Sequence, residues 1–427
     1  MVTPLSKALE LLNASNTKFD LTNDTHQKRL LLLADELFQL KDLTIDNYKS
    51  MVARLEPPLE FQLAVKLVES RRMILRVEEP TKVGVVFAMW GEQNRLRPKS
   101  PQNPNGEDSL RTKIEQLNWI TQGSNASWHL YAVDDGCPHK SASIAKGIVE
   151  QYPVHIREKV TVLRLSDAIP TMTGPLKNLR NVDDSRKGGA IILGCECALS
   201  NGVDAVVYTD ADNSVHLGQL GLIIEPFVNS DKQVVLGNRK HEESILVKQE
   251  ERWGVGIKTL RHMQRMIGAQ IFERGIKDTQ AAFKLYSRDT LTYILKKPTV
   301  FDFSFDTDWI FAAMEKNKSI ATIPFAFIDS AAESASVVQG PMTTWYVLLE
   351  GLVKAAKARG AAYSEDMAEV FNREIQSHKD LELIIDTLPP QLAGVHDSDL
   401  GNPDVMSPES VGQWISNVKA LNQQLSV

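Results

Sequence analysis

Asp210 and Asp212 close the stretch Val203-Asp204-Ala205-Val206-Val207-Tyr208-Thr209-Asp210-Ala211-Asp212. The apolar, β-branched run before them reads as a buried parallel strand. In an open α/β sheet, ligands bind at the carboxyl ends of the strands. Two carboxylates at i, i+2 on such an exit can turn toward one hard divalent cation, which takes oxygen ligands. An ion held there bridges the two phosphates of a nucleotide donor and neutralises the departing diphosphate. The alternative is a solvated turn, because a lone Asp-x-Asp is common by chance.

Other groups with chemical potential lie on both sides of this pair. Asp134-Asp135-Gly136 follows the strand-like Trp128 to Val133. An acid there can accept a hydrogen bond from a base N–H or a ribose hydroxyl; an Asx-type turn into the next helix is the competing reading. Arg186-Lys187-Gly188-Gly189-Ala190 opens a helix reaching Leu199. Its glycines allow a ligand or a backbone to come close, and a helix N-terminus favours anions. Tight helix-to-strand packing explains the glycines equally well. Arg95, Arg97 and Lys99 lie in the long loop Trp90 to Gly106 and suit phosphate or simple solvation. Phe301-Asp302-Phe303-Ser304-Phe305-Asp306-Thr307-Asp308 ends in two acids at a helix start. A cap for the helix dipole accounts for them, and so does a general base beside a diphosphate cleft. His241, alone in a charged loop, reads as solvated rather than as a metal ligand.

The elements that must position these groups follow a βαβ rhythm. Strands are expected at Val83 to Met89, Trp128 to Val133, Val160 to Leu165, Val203 to Thr209, Gln233 to Leu236, within Asp278 to Arg288 between a polar turn and a helix start, and at Ile320 to Ile328. Helices are expected near Leu110 to Ile120, Ser141 to Glu150, Leu217 to Phe227 and Lys248 to Phe272. Before residue 80 the chain looks helical, with Asn23-Asp24-Thr25 as a cap for a leucine-rich segment. This region carries no evident chemistry and suits packing or oligomerisation. After Ile328 come a small-residue loop at Ala331 to Gln339, helices near Met342 to Lys357 and Ser364 to Ile375, an extended or mobile stretch from Pro389 to Met406, and a last helix capped by Ser407-Pro408. The expected division is 1–80, 81–330 and 331–427.

With 427 residues, 43% of them hydrophobic, the chain can bury a large core. Its net charge of −6 gives no footprint for nucleic acid. Three cysteines, Cys137, Cys195 and Cys197, are too few and too odd for a disulfide framework and indicate a reducing compartment. No signal peptide is evident, and no run approaches the ~20 apolar residues of a membrane span. A cytoplasmic protein without a transmembrane segment is expected.

The ordered set Asp-Asp-Gly, Lys-Gly-Gly, Asp-x-Asp, Gly237-Asn238-Arg239, Asp278-Thr279-Gln280-Ala281-Ala282-Phe283-Lys284 and Phe305-Asp306-Thr307-Asp308 resembles the GT-A family 2 glycosyltransferases. The nearest likeness is to the dolichyl- and polyprenyl-phosphate sugar synthases, over residues 82 to 350. The resemblance implies a Rossmann-like, mostly parallel α/β sheet flanked by helices. It implies Mg2+ or Mn2+, a nucleoside-diphosphate sugar donor, and an acceptor that is a small molecule, a glycan or a lipid phosphate. Position by position, it gives Asp134 and Asp135 to base and ribose, and Asp210 and Asp212 to the metal. Asp306 becomes the base of an inverting transfer, with Asp308 the acid two residues on. Arg239 matches a basic residue near the donor phosphates or an acceptor phosphate, and Gln280 and Lys284 lie in the segment that shapes the donor and acceptor pocket. Lys187 and Gly188, from the helix N-terminus read above, are expected at the donor as well. Four departures stand out: Met89-Trp90-Gly91-Glu92-Gln93-Asn94 replaces the usual entry turn, Ala282 replaces a glycine, Asn213-Ser214-Val215-His216 follows Asp-x-Asp in place of the usual Leu-Gln-His-Pro, and no membrane anchor accompanies the lipid-phosphate likeness. The rival functions are a retaining transferase, a sugar-phosphate nucleotidyltransferase, and a nucleotide-binding scaffold without activity.

Overall fold

The computed structural model describes residues 3–247, 254–329 and 340–425. Its centre is a seven-stranded sheet in the order β3-β2-β1-β4-β7-β5-β8. The strands are β1 (Thr81–Met89), β2 (Ala126–Asp134), β3 (Val160–Arg164), β4 (Ala205–Thr209), β5 (Val234–Gly237), β7 (Phe283–Ser287) and β8 (Ile320–Ile323). All pairings are parallel except those of β7, which runs against both β4 and β5. This is the expected mostly parallel α/β sheet flanked by helices.

Alternation along the strands builds two cores. Val83, Val85 and Phe87 of β1 and Ala205 and Val207 of β4 join Leu30, Phe61 and Leu67 of the N-terminal helices on one face. Val86, Val206 and Tyr208 point the other way, against helices Gly188–Ser200, Phe305–Glu315 and Pro341–Arg359. The N-terminal helices therefore share a core with the sheet. Close approach on the second face needs Gly194, where a Cβ would stand 2.5 Å from Val86 Cγ1.

Several elements differ from expectation. The single strand expected over Ile320 to Ile328 is two. Pro324, with no N–H for a ladder, separates β8 from β9 (Ala326–Ile328), which pairs in parallel with β6 (Ile245–Val247) in a second sheet. The strand β6 falls just before the helix expected over Lys248 to Phe272. Of that helix, Ile257–Ile267 and Ala269–Phe272 are helical and break at Gly268; residues 248–253 lie outside the described ones. The loop expected at Ala331 to Gln339 also lies outside them. Pro389 to Met406 is neither extended nor loose. It folds into two short 3-10 turns and buries Leu392, Leu400 and Met406. A further helix, His378–Ile384, starts at a Ser377/Asp380 capping box. No described helix is long and apolar enough to cross a membrane.

Candidate active site

The strand exits of β1, β2 and β4 end beside one cavity of about 390 Å3. Its wall includes Glu92, Arg95, Asp135, Arg186, Lys187, Asp210, Asp212, Arg239, Gln280 and Asp306. Residues up to 214 positions apart in sequence thus meet because parallel strands deliver their carboxyl ends to the same edge.

Asp210 and Asp212 keep partly open side chains on this wall. Lys187 Nζ stands 2.5 Å from Asp210 Oδ1, and Arg95 Nη1 stands 3.6 Å from Asp212 Oδ2. Burial works to raise the Asp210 pKa, but Lys187, Arg239 and Lys113 outweigh it and hold the carboxylate below its usual range. Burial likewise opposes the Lys187 charge, and Asp210, Asp306 and Asp212 restore it. Arg95 is held by Glu92 at 2.7 Å, and burial lifts the Glu92 carboxyl to about 7.

Asp134 and Asp135 divide the two readings offered for them. Asp134 accepts from Cys137 N (2.8 Å) and Ala142 N (2.9 Å), so it ties the turn to the start of helix Ser141–Val149 and is absent from the cavity wall. Asp135 reaches the cavity, accepting from Ser185 Oγ and Lys187 N, both at 2.6 Å. Burial raises its carboxyl to about 6.

The Lys-Gly-Gly segment also divides. Lys187 lines the cavity, whereas Gly188 packs against the backbone of Phe301, which a Cβ would meet at 2.6 Å. Arg186 N and Gly189 N both donate to Phe301 O, fastening this turn to the segment that leads into Asp306. Arg97 and Lys99 turn away, to Gln93 O and to Asp20 and Thr22.

Asp306 is 3% exposed in the first turn of helix Phe305–Glu315, with Oδ1 3.3 Å from Lys284 Nζ. Burial drives Asp306 well above the ordinary carboxylate range and drives Lys284 well below the ordinary lysine range. Lys284 lies beneath the cavity wall, donating to Tyr208 Oη and Ala281 O. Asp308 points elsewhere: it accepts from Thr299 and pairs with Arg359 at 2.7 Å, fully buried. An aromatic cluster that the sequence reading did not isolate fixes this helix. Phe305 packs on Tyr208 at 5.2 Å and on Trp309 at 5.1 Å, tying the Asp306 helix to the strand that carries Asp210.

Arg239 forms a two-pronged pair with Asp278, both contacts 2.8 Å, and its guanidinium lies 5.1 Å over Phe327. The pairing outweighs burial and holds Asp278 well below its usual range. Gln280 follows on the same turn, with Gln280 N 3.3 Å from Asp278 Oδ1.

No protein-family model matches the chain. Over 180 residues it is 26% identical to the undecaprenyl-phosphate mannosyltransferase of Micrococcus luteus, covering 39% of this chain and 72% of that one. Over 206 residues it is 26% identical to the dolichyl-phosphate beta-glucosyltransferase of Dictyostelium discoideum, covering 46% and 54%. In sequence, the chain is thus similar over part of its length to polyprenyl- and dolichyl-phosphate glycosyltransferases. It spans 54% of the Dictyostelium relative and 62% of the Drosophila melanogaster dolichyl-phosphate beta-glucosyltransferase, so their whole lengths are not represented. A looser overlap, TM-score 0.45 at 12% identity over 68% of this chain and 78% of the other, exists with the crystal structure of mannosyl-3-phosphoglycerate synthase from Rubrobacter xylanophilus.

The donor set suits Mg2+ or Mn2+ as a guest of the substrate. Asp210 and Asp212 are hard oxygen donors open to the cavity. Among the described residues no group of three or more His, Cys, Asp or Glu could hold a metal ion. One or two carboxylates completed by substrate phosphates and water is the ordinary arrangement for Mg2+.

Proposed function

We propose that the protein is a metal-dependent glycosyltransferase that moves a sugar from a nucleoside diphosphate to an acceptor oxygen with inversion at the anomeric carbon. The observation that carries this is the placement of one buried carboxylate, Asp306, on the same cavity as the open acids Asp210 and Asp212. A divalent cation on those acids would supply charge neutralisation for the departing diphosphate. Lys187, Arg95 and Arg239 add positive charge on the same wall. Asp135, kept by Ser185 and Lys187 N, is the acid placed to accept from the nucleoside. Asp306 takes the acceptor's proton; its raised pKa makes it a stronger base once ionised. Toward an acceptor phosphate, already ionised, it would orient rather than deprotonate.

The test is a thermal-shift screen of UDP-, GDP- and ADP-sugars with Mn2+ or Mg2+, since a ligand that binds only the native form raises the melting temperature. One nucleotide family should stabilise the protein in a cation-dependent way. No shift with any of them sinks the proposal. With a turned-over donor, NMR at the product's C1 separates inversion from retention.

A further inference from the structure

We propose that Lys113, outside every motif discussed above, is a positioning residue for the Asp-x-Asp turn and acts through the Asp212 backbone. The inference rests on the metal reading above. Lys113 lies on helix Ser109–Thr121 and is fully buried. Its ammonium donates to the carbonyl of Asp212 and sits 5.7 Å over the Phe87 ring. Taking an ammonium out of water is costly, and its hydrogen bonds must compensate.

The same peptide unit is held at its other end. Asn213 N donates to Glu107 Oε2 at 2.9 Å, and Asn213 Nδ2 donates to Glu107 O at 3.0 Å. The Asp212 carbonyl and the Asn213 N–H belong to one planar group. Gripping both ends therefore fixes the backbone rotation that aims the Asp212 side chain. Within the turn, Ser214 N donates to Asp212 Oδ1 at 3.0 Å. One helical turn beyond Lys113, on the same face, Gln116 Oε1 accepts from Leu217 N at 2.7 Å and Gln116 Nε2 reaches Gln27 at 3.3 Å. The segment after β4 is thus moored to a helix that the N-terminal helices back. Lys113 supplies a direct hold on the residue that aims into the cavity.

The experiment compares the full-length protein with Lys113→Met and Lys113→Gln, each checked for native circular dichroism. Mn2+ affinity is read by electron paramagnetic resonance with the metal alone, and hydrogen exchange is read on peptides spanning 208–217. Removing a positive charge by itself would tighten cation binding. Loss of positioning instead weakens it, by about fivefold or more in Lys113→Met and less in Lys113→Gln, with faster exchange confined to the turn. Unchanged or tighter Mn2+ binding, or unchanged exchange, in a folded variant overturns the inference. If Lys113→Met does not fold, Lys113→Gln decides by the same criteria. If the unsubstituted protein takes up no Mn2+ without a nucleotide, exchange alone decides the role of Lys113. The metal reading then stands or falls on the cation dependence of the nucleotide-sugar thermal shifts.

Discussion

Two pairs of aspartates share the spacing i, i+2 and meet different fates. Asp210 and Asp212, on the turn leaving β4, both line the cavity. Asp306 and Asp308 lie in the first turn of a helix; the first lines the cavity and the second is buried against Arg359. The reason is the backbone. In a helix, residues two apart point to nearly opposite sides, whereas an irregular turn can bend successive acids toward one point. Spacing alone therefore carries no chemical meaning until the local conformation is known. Asp134 and Asp135 repeat the lesson at a strand end, one acid going to a turn and its neighbour to the cleft.

The widest separation is expected in turnover. Asp212→Ala should lose cation-dependent transfer by about 10³-fold or more, because several kcal/mol of charge stabilisation disappear, while the melting temperature without ligand stays near the original. Asp306→Asn should lower kcat by roughly 10²–10⁴-fold if it serves as base. Asp308→Asn should do the reverse: it removes the closer of two carboxylates from buried Arg359, leaving Glu315 at 3.8 Å, and should cost about 1–3 kcal/mol in denaturant titration, with kcat per folded molecule unchanged. Equal losses of kcat in both variants would erase the contrast between them.

The pH profile sharpens the same contrast. Burial raises the Asp306 pKa, so the proton is retained at pH values where a free carboxyl, with its pKa of about 4, has already ionised. A base works only after losing it, so kcat with a hydroxyl acceptor should climb with pH along a limb displaced upward from that value. Asp306→Asn should flatten the limb, and Asp308→Asn should keep it. The smallest effect belongs to Asp134→Ala, which removes a turn-and-helix tie worth about 1 kcal/mol and should lower the melting temperature slightly without altering turnover.

Much of this arrangement was legible in the residues. The apolar runs ending in Asp134, Met89 and Thr209 gave strands in parallel order, and Asn23 and Ser407 marked helix starts. The fate of Asp308 was misjudged: the family likeness set it beside Asp306 at the chemistry, whereas two acids opening a helix are sent apart by its periodicity and Asp308 is buried against Arg359. Lys113 left a signal too: with Leu110, Ile114 and Leu117 it occupies the apolar face of its helix, where a lysine needs a reason to be. The β6–β9 pairing was not readable, because three-residue strands lack any period. Nor was the packing of Pro389 to Met406, whose order comes from distant partners: His262 receives Gly401 N and meets Met406 O.

The reversed strand β7 has one more consequence. Because it runs against β4 and β5, it enters the sheet at the rim where those two leave it. The excursion through residues 238–282 therefore departs and lands on the same shore. Its length is free to change without stretching the span from Asp212 to Gln280. Had all seven strands pointed one way, every such detour would have had to recross the sheet before returning a side chain to the cleft.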